Sequence, residues 1–219
     1  MGLAFTDPVL THLLPFLKFV NAFLSSRGLH HYLLTIRATT PTHEYDQPRW
    51  HTDDAFVADE SFVARGNSQS AHRGSTVAVL GTDWKICTTL LGPQTLFVPA
   101  HRQSFARQKQ RLVQAAARTD HVCPLIRCVG CASAADVVRK ELGAFLAQCR
   151  PETPSPGQCA VFRVGRDSGA MHSEPCLSEN LAGRIFINVI PGTQDELSVL
   201  MRRWGMEFPR DWYIRSHIA

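Results

Sequence analysis

Apolar residues near the start of the chain recur every three or four positions. They are Leu10, Leu13, Leu14, Leu17, Val20 and Leu24. Because an α-helix turns once every 3.6 residues, this spacing predicts a helix with one apolar face against a core. Asp7 and Pro8 are typical of a helix start, as capping residue and first helical residue. The helix is expected to end between Ser25 and Gly28.

Short runs rich in β-branched and aromatic residues predict strands elsewhere in the chain. The predicted strands are 31–40, 50–57, 77–80, 84–91, 96–98, 159–164 and 184–190. Polar segments with glycine or proline separate them, and the longest of these is a predicted loop over 58–75.

Between residues 100 and 157 the pattern becomes helical. A basic helix is predicted over 101–118, and a second helix over 133–149. Ser133 and Asp136 have the spacing of a capping pair at the start of the second helix. This stretch therefore reads as a helical insert between strands.

A last helix is predicted to start at a capping box formed by Thr193 and Glu196 and to run through Trp204. Strands and helices are not regularly interleaved, which argues against a parallel doubly wound sheet. We expect a mainly β fold with flanking helices, a distorted double-stranded β-helix of the jelly-roll or cupin-like type. One domain over residues 1–219 is expected, with the helical insert at about 100–157.

Composition and charge narrow the class of protein. The chain has 219 residues, of which 44% are hydrophobic and 19% charged, and this excludes a disordered chain or a coiled coil. A net charge of +4 is too small to indicate a nucleic-acid partner. The chain has seven cysteines, an odd number that cannot all pair within one chain. No apolar run reaches the ~18 residues of a membrane span. We therefore expect a cytoplasmic protein with mostly reduced thiols.

His51 and Asp53 stand two positions apart in the strand predicted over 50–57. Alternate residues of a strand point to the same face, so this imidazole and carboxylate can bind one metal ion. Asp54 is a competing carboxylate, but it falls on the opposite face from His51. A pair of this kind also arises by chance, and a surface pair without a ligand is the alternative interpretation.

A second histidine and an arginine follow much later in the chain. His172 comes soon after the strand predicted over 159–164, and Arg184 begins the strand over 184–190. Alternation places Arg184 and Phe186 on one face of that strand. A guanidinium is costly to bury here without an anion. Arg184 therefore either binds an anionic ligand, pairs with an internal carboxylate, or reaches solvent at the strand end.

The order His51, Asp53, His172 and then Arg184 resembles that of the iron(II)- and 2-oxoglutarate-dependent dioxygenases. The resemblance implies a jelly-roll core in which His51, Asp53 and His172 bind Fe(2+) as a facial triad. It implies that Arg184 binds the distant carboxylate of 2-oxoglutarate with its two-pronged guanidinium. The implied reaction uses dioxygen to oxidise a C–H bond of a small-molecule substrate, and it releases succinate and carbon dioxide.

One position departs from the pattern of this family. Many members have a polar side chain two residues after the arginine, and here that residue is Phe186. A second partner for the cosubstrate must then come from elsewhere, and the candidates are Thr95, Thr89 and Tyr32. Thr95 lies within 90–99, a segment similar to the strand-turn-strand between the first and last metal ligands of the family.

Two other functions remain open. One is a cupin-like metalloenzyme that uses the same three ligands without 2-oxoglutarate, as a dioxygenase or an isomerase. The other is a non-enzymatic metal-binding module, with a metal bound by cysteines of the insert. The cysteines considered are Cys123, Cys128 and Cys131, with Cys149 or Cys159 as a fourth ligand.

The sequence leaves the substrate, the oligomeric state and the reaction outcome open, since hydroxylation, desaturation and ring formation all begin at a C–H bond. Loops and insertions on a rigid scaffold usually determine specificity. The insert and the loop over 58–75 are therefore expected to form walls of the substrate pocket.

Overall fold

The computed structural model describes residues 9–43, 47–53, 83–117, 128–165, 167–177 and 183–203. Its helices are α1 (Val9–Ser25), α2 (Gln103–Ala117), α3 (Val129–Phe145) and α4 (Gln194–Arg203). Its strands are β1 (His31–Thr39), β2 (Trp84–Leu91), β3 (Leu96–Phe97), β4 (Ala160–Arg163), β5 (His172–Ser173) and β6 (Arg184–Gly192). A 3₁₀ turn over Ala100–Arg102 precedes α2.

Two antiparallel sheets form the β part of the fold. The larger sheet has the order β1-β6-β2-β4, and the smaller sheet consists of β3 and β5. Isolated bridges widen the smaller sheet, pairing His51 with His172 and Phe97 with Glu152. The two sheets meet at the ring of Phe97, which lies 5.2 Å from the ring of Phe162 on β4.

The sequence pattern predicts a mainly β fold with flanking helices, whereas the described residues form a mixed fold of helices and antiparallel sheets. More of these residues lie in helices than in strands. Two of the strands, β3 and β5, are only two residues long each. A jelly roll is compatible with this architecture. The single domain over 1–219 stays a prediction.

Helix α1 packs on one face of the larger sheet, as its apolar spacing predicts. Its fully buried Val20 belongs to one cluster with Ile86 of β2 and with Ile187 and Val189 of β6. The alternation predicted for β6 is therefore confirmed, because Ile187 and Val189 face α1 while Arg184 and its alternate neighbours line a cavity on the other face.

Helices α2 and α3 pack on the smaller sheet. Leu142 of α3 is fully buried in a second cluster with Trp50, Val98 and Met171. Trp50 and Met171 each directly precede a histidine of the predicted metal site. The insert therefore covers one side of the smaller sheet. It packs against the residues that directly precede the two histidines in the sequence.

The predicted start of the second insert helix is wrong. Helix α3 begins at Val129 with Cys128 as N-cap, so Ser133 and Asp136 lie inside the helix and do not cap it. The carboxylate of Asp136 instead accepts hydrogen bonds from Arg49 (3.1 Å) and Arg139 (3.0 Å). A serine and an acid three residues apart fit a helix interior equally well when the acid has arginine partners.

The predicted capping box of the last helix is confirmed. The backbone N–H of Thr193 donates to Glu196 Oε2 (2.7 Å), and the backbone N–H of Glu196 donates to Thr193 Oγ1 (3.3 Å). Several other predictions lie outside the described residues: the cap at Asp7 and Pro8, the loop over 58–75, the strand over 77–80 and the end of the last helix at Trp204.

Within the described ranges, no helix has the length and apolar character needed to cross a membrane.

Gly92 allows the turn after β2 to approach the start of β6. It has a φ of +86°, and a Cβ atom there would overlap the carbonyl oxygen of Gly183 and lie 3.1 Å from the Cα of Arg184. A left-handed conformation and a close backbone approach both favour glycine. Gly157 has a similar φ of +81° but open space around it, which makes it a matched control.

We expect Gly92→Ala to lower the free energy of unfolding by about 2 kcal/mol or more, because backbone strain adds to a backbone overlap. Gly157→Ala should cost about 1 kcal/mol, since it suffers the strain alone. Urea unfolding of both variants measures the difference. Equal losses would show that the approach of this turn to β6 is not tight.

Candidate metal centre

Backbone pairing brings His51 and His172 side by side. The N–H of His51 donates to the carbonyl of His172 (2.9 Å), and the N–H of His172 donates to the carbonyl of His51 (3.0 Å). Directly paired residues of an antiparallel ladder point to the same face. The two imidazole rings accordingly lie 4.5 Å apart between centroids, although the residues are 121 positions apart in the sequence.

Both rings are held in the same tautomer. His51 Nδ1 lies 2.8 Å from the carbonyl oxygen of Arg49, and His172 Nδ1 lies 2.9 Å from that of Ala170. A carbonyl only accepts, so each contact places a proton on Nδ1, and the neutral tautomer that makes it has its lone pair on Nε2. Such carbonyl contacts are the usual orienting partners of metal-binding histidines.

Asp53 completes the group. Its Oδ1 lies 3.7 Å from His51 Nε2, and its Oδ2 lies 3.7 Å from His172 Nε2. These separations are too long for hydrogen bonds, but two atoms bound to one ion at about 2.1 Å lie at most about 4.2 Å apart. Among the described residues, this is the group of potential ligands that could hold a metal ion, with ligand atoms within 4.8 Å of one another.

The protonation states suit a metal site. Burial is the largest influence on His172 and lowers its pKa from 6.5 to about 4, so the imidazole is neutral at physiological pH. Burial would raise the pKa of Asp53, but Lys85 and the two histidines outweigh it and hold the value at about 2. Neutral imidazole and ionised carboxylate are the forms that bind metal.

Helix α2 contacts both histidine segments through two glutamines. Gln103 Nε2 donates to the carbonyl of Val98 (2.7 Å), and Gln103 Oε1 accepts from the N–H of Met171 (2.8 Å). About two helical turns further along, Gln110 Nε2 donates to Thr52 Oγ1 (3.0 Å). Both Gln110 and Thr52 are buried. Thr52 lies between His51 and Asp53. Helix α2 therefore contacts the segment of His51 and Asp53 as well as the segment of His172.

Arg184 is buried at the start of β6, with 5% of its surface exposed. Its Nη2 donates to Thr95 Oγ1 (2.8 Å) and Thr89 Oγ1 (3.3 Å), and its Nε donates to the carbonyl of Pro93 (3.1 Å). The ring of Phe186 lies 4.4 Å from the guanidinium carbon. Phe186 thus contributes a ring face to the guanidinium.

The guanidinium retains donors for a ligand. Within the described ranges, Arg184 Nη1 has no hydrogen-bond acceptor, and the acceptors of its other nitrogens are all neutral. Burial lowers the pKa of Arg184 to about 10, which still leaves it a cation at physiological pH. A buried cation without a carboxylate partner is suited to an anion from solution.

One cavity of about 1440 Å³ contains the predicted residues: His51, Asp53, Thr95, His172 and Arg184 all line it. Tyr32 is not among them, since it packs against the α1 cluster on the other face of the larger sheet. Asp54 and Cys123 lie outside the described residues, so the Asp54 alternative and the cysteine site stay predictions.

Two further charged residues of the cavity give little signal in the sequence. Glu174 lies 3.7 Å from Arg37, and the nearby His51 helps to lower its pKa against the opposing effect of burial. Its position two residues after His172 repeats the spacing of His51 and Asp53, and that repeat is a signal that could have found it. Lys85 donates to Asp53 Oδ2 at 2.7 Å, and only the strand register reveals this contact.

The comparisons with known proteins are distant. No family model matches this sequence, and neither does any curated protein. Among solved structures, the chain is similar to the non-heme iron oxygenase OrfP in complex with Fe, succinate and (3R,4R)-dihydroxy-L-Arg. That match has 13% identity and a TM-score of 0.32, and it covers 78% of this chain and 59% of that chain.

The OrfP complex with Fe and L-canavanine gives 12% identity and a TM-score of 0.31, covering 79% of this chain and 59% of that chain. This chain therefore spans about three fifths of the length of the structures it matches. Both are structures of a non-heme iron oxygenase.

The pKa of His172 predicts how the metal-free protein loses stability in acid. Below pH 6.5 the unfolded chain binds a proton on this imidazole, whereas the folded chain does not until about pH 4. The free energy of unfolding should therefore fall as pH drops through this window, by roughly 3 kcal/mol at most. Chemical unfolding in a chelator between pH 7 and 4 measures it.

His172→Asn removes this imidazole and should flatten the decline between pH 6.5 and 4. His101→Asn, at an exposed position of the 3₁₀ turn, is the control and should leave the decline in place. An unchanged slope in His172→Asn would show that this histidine titrates as it does in the unfolded chain.

Proposed function

We propose that this chain is a non-heme iron(II)- and 2-oxoglutarate-dependent oxygenase built on a distorted double-stranded β-helix. Its reaction would oxidise a C–H bond of a small-molecule substrate and release succinate and carbon dioxide. One observation carries the proposal: His51, Asp53 and His172 converge in a cavity that Arg184, a buried cation without a carboxylate partner among the described residues, also lines.

His51, Asp53 and His172 would hold Fe(2+). The fit rests on the donor set, which is two imidazoles with Nδ1 against a backbone carbonyl and Nε2 toward Asp53, and one ionised carboxylate. Two histidines and one carboxylate on one face leave coordination positions open, as in non-heme iron oxygenases. When bound, iron and 2-oxoglutarate supply the oxidising chemistry with dioxygen; the protein supplies placement and exclusion of water.

Arg184 would bind the distant carboxylate of 2-oxoglutarate. Thr95 and Thr89 orient the guanidinium from one side, and the ring of Phe186 supports its face. These contacts fix the orientation of Nη1, which has no acceptor among the described residues. Nη1 would form a stronger hydrogen bond with a carboxylate than with a neutral acceptor. In this proposal Thr95 is a cosubstrate-site residue that acts through Arg184.

The arrangement of the sheets supports the jelly-roll part of the proposal. The proposed metal ligands belong to or adjoin the smaller sheet, whereas Arg184 belongs to the larger one. Rings of Phe97 and Phe162 close the space between the sheets on one side of His172, at 5.9 Å and 5.0 Å from its ring. A metal and an anionic cosubstrate would thus lie between two sheets.

The insert supplies part of the substrate region. Small side chains of α3, including Ala134 and Ala135, line the cavity together with Gln114 of α2. Arg37 and Arg49 add positive charge to the lining, balanced in part by Glu174 and by Asp136. The substrate would therefore be a small molecule bound between the insert and β1.

Metal and cosubstrate binding test the proposal directly. Adding Fe(2+) and 2-oxoglutarate to the protein under anaerobic conditions should produce a visible metal-to-ligand charge-transfer band. Asp53→Ala should lose the band, because it removes one of three ligands. Asp167→Ala, at a position 91% exposed, is the control and should keep it. Wild-type protein without the band at saturating concentrations would contradict the proposal.

Arg184 should determine the 2-oxoglutarate requirement. Arg184→Lys keeps the charge but loses two-pronged binding, so the 2-oxoglutarate concentration at half-maximal band intensity should rise about tenfold or more. Thr95→Val should raise it less, since it removes one orienting contact. Fe(2+) affinity should stay the same in both variants. An unchanged requirement in Arg184→Lys would favour the alternative in which the triad works without 2-oxoglutarate, and turnover without succinate would then identify it.

A further inference from the structure

Lys85 is a partly buried cation in direct contact with a proposed metal ligand. Its side chain is 12% exposed, and its Nζ donates to Asp53 Oδ2 at 2.7 Å. Lysine is rarely buried to this extent unless paired. A buried ion pair is weak evidence for a role in stability, because desolvation offsets much of the attraction. The position of this pair in the cavity therefore points to a role in the site.

The larger sheet fixes Lys85 in place. Lys85 stands opposite Phe162 in the pairing of β2 with β4, and its Nζ lies 5.8 Å from the centre of that ring. Phe162 in turn contacts the ring of His172. The ammonium is thus held next to the metal group by a strand that contributes no proposed ligand.

The contact distinguishes the two oxygens of Asp53. Within the described ranges Oδ2 accepts the hydrogen bond from Lys85 and Oδ1 has no such partner, while the two oxygens lie at the same distance of 3.7 Å from His172 Nε2 and His51 Nε2 respectively. A carboxylate with both oxygens available can bind an ion through one or both of them. Binding through both would occupy one of the three positions that a facial triad leaves open.

On the basis of the proposed function, we propose that Lys85 is a positioning residue that makes Asp53 a one-oxygen ligand. Lys85 holds Oδ2 and leaves Oδ1 for the metal, so three coordination positions stay open for cosubstrate and dioxygen. Partners that orient a metal-bound carboxylate in this way are common around metal sites. The residue acts through Asp53 and does not itself contact the reacting atoms.

Cobalt(II) provides a probe that needs neither substrate nor turnover. Protein with ¹³C-labelled aspartate is titrated with Co²⁺, and difference infrared spectra report the separation between the asymmetric and symmetric carboxylate stretches. This separation is wide for one-oxygen binding and narrow for two-oxygen binding. Wild type should show the wide separation, and Lys85→Met the narrow one. Lys85→Arg, which retains a cationic donor, should restore the wide separation.

Controls separate this role from a loss of structure. Lys109→Met removes a lysine that lies 3.7 Å from Glu141 outside the proposed metal group, and it should leave the spectrum unchanged. Lys85→Gln provides a second variant of similar length if Lys85→Met does not fold, and circular dichroism verifies folding of each.

Two outcomes overturn the proposal in distinguishable ways. A folded Lys85→Met or Lys85→Gln protein with the wild-type carboxylate spectrum would show that Lys85 does not control how Asp53 binds, while the proposed function stands. Wild-type protein that binds no Co²⁺ would overturn both the proposed function and the role of Lys85.

Discussion

The pairing of His51 with His172 is the constraint on which the rest of the site depends. Two backbone hydrogen bonds fix these residues opposite each other. In an antiparallel pair, the side chains of directly opposed residues point to the same face. Asp53 lies two residues beyond His51, and its carboxylate reaches both imidazoles at 3.7 Å, although the described part of the strand predicted over 50–57 forms only the isolated bridge at His51. A slip of one residue in this pairing would turn one imidazole away from the cavity.

The insert has a second task besides lining the cavity. Sequence analysis predicts it as a pocket wall, and Ala134, Ala135 and Gln114 do line the cavity. Its first helix also holds the His172 segment through Gln103 and the His51 segment through Gln110. Short strands have few ladder hydrogen bonds of their own, and β5 has two residues. Side-chain amides of α2 therefore supply hydrogen bonds to these segments that a longer strand would make through its backbone.

Local patterns predicted what depends on local geometry. The two-residue period of strands placed Arg184 on the face opposite Ile187, and the spacing of Thr193 and Glu196 located the start of the last helix. The contact of Lys85 with Asp53 depends on strand register and on how the two sheets face each other, and neither can be inferred from residue types. For the same reason, the sequence cannot select Thr95 from the three candidate partners for the cosubstrate. The contact of Thr95 with Arg184 depends on the close approach of two backbone segments that Gly92 permits.

Two cations of the cavity, Lys85 and Arg184, are stabilised in different ways, and the difference fits the different roles proposed for them. Lys85 has an ionised carboxylate at 2.7 Å, so its charge is compensated before any ligand arrives. Arg184 has hydroxyls, a carbonyl and an aromatic face, and within the described ranges no carboxylate lies within ion-pair distance of it. The desolvation cost of its charge is therefore only partly offset in the free protein. In the proposed function an incoming dicarboxylate would supply the missing charge, and the energy regained at Arg184 would favour binding of this anion over a neutral molecule of similar size.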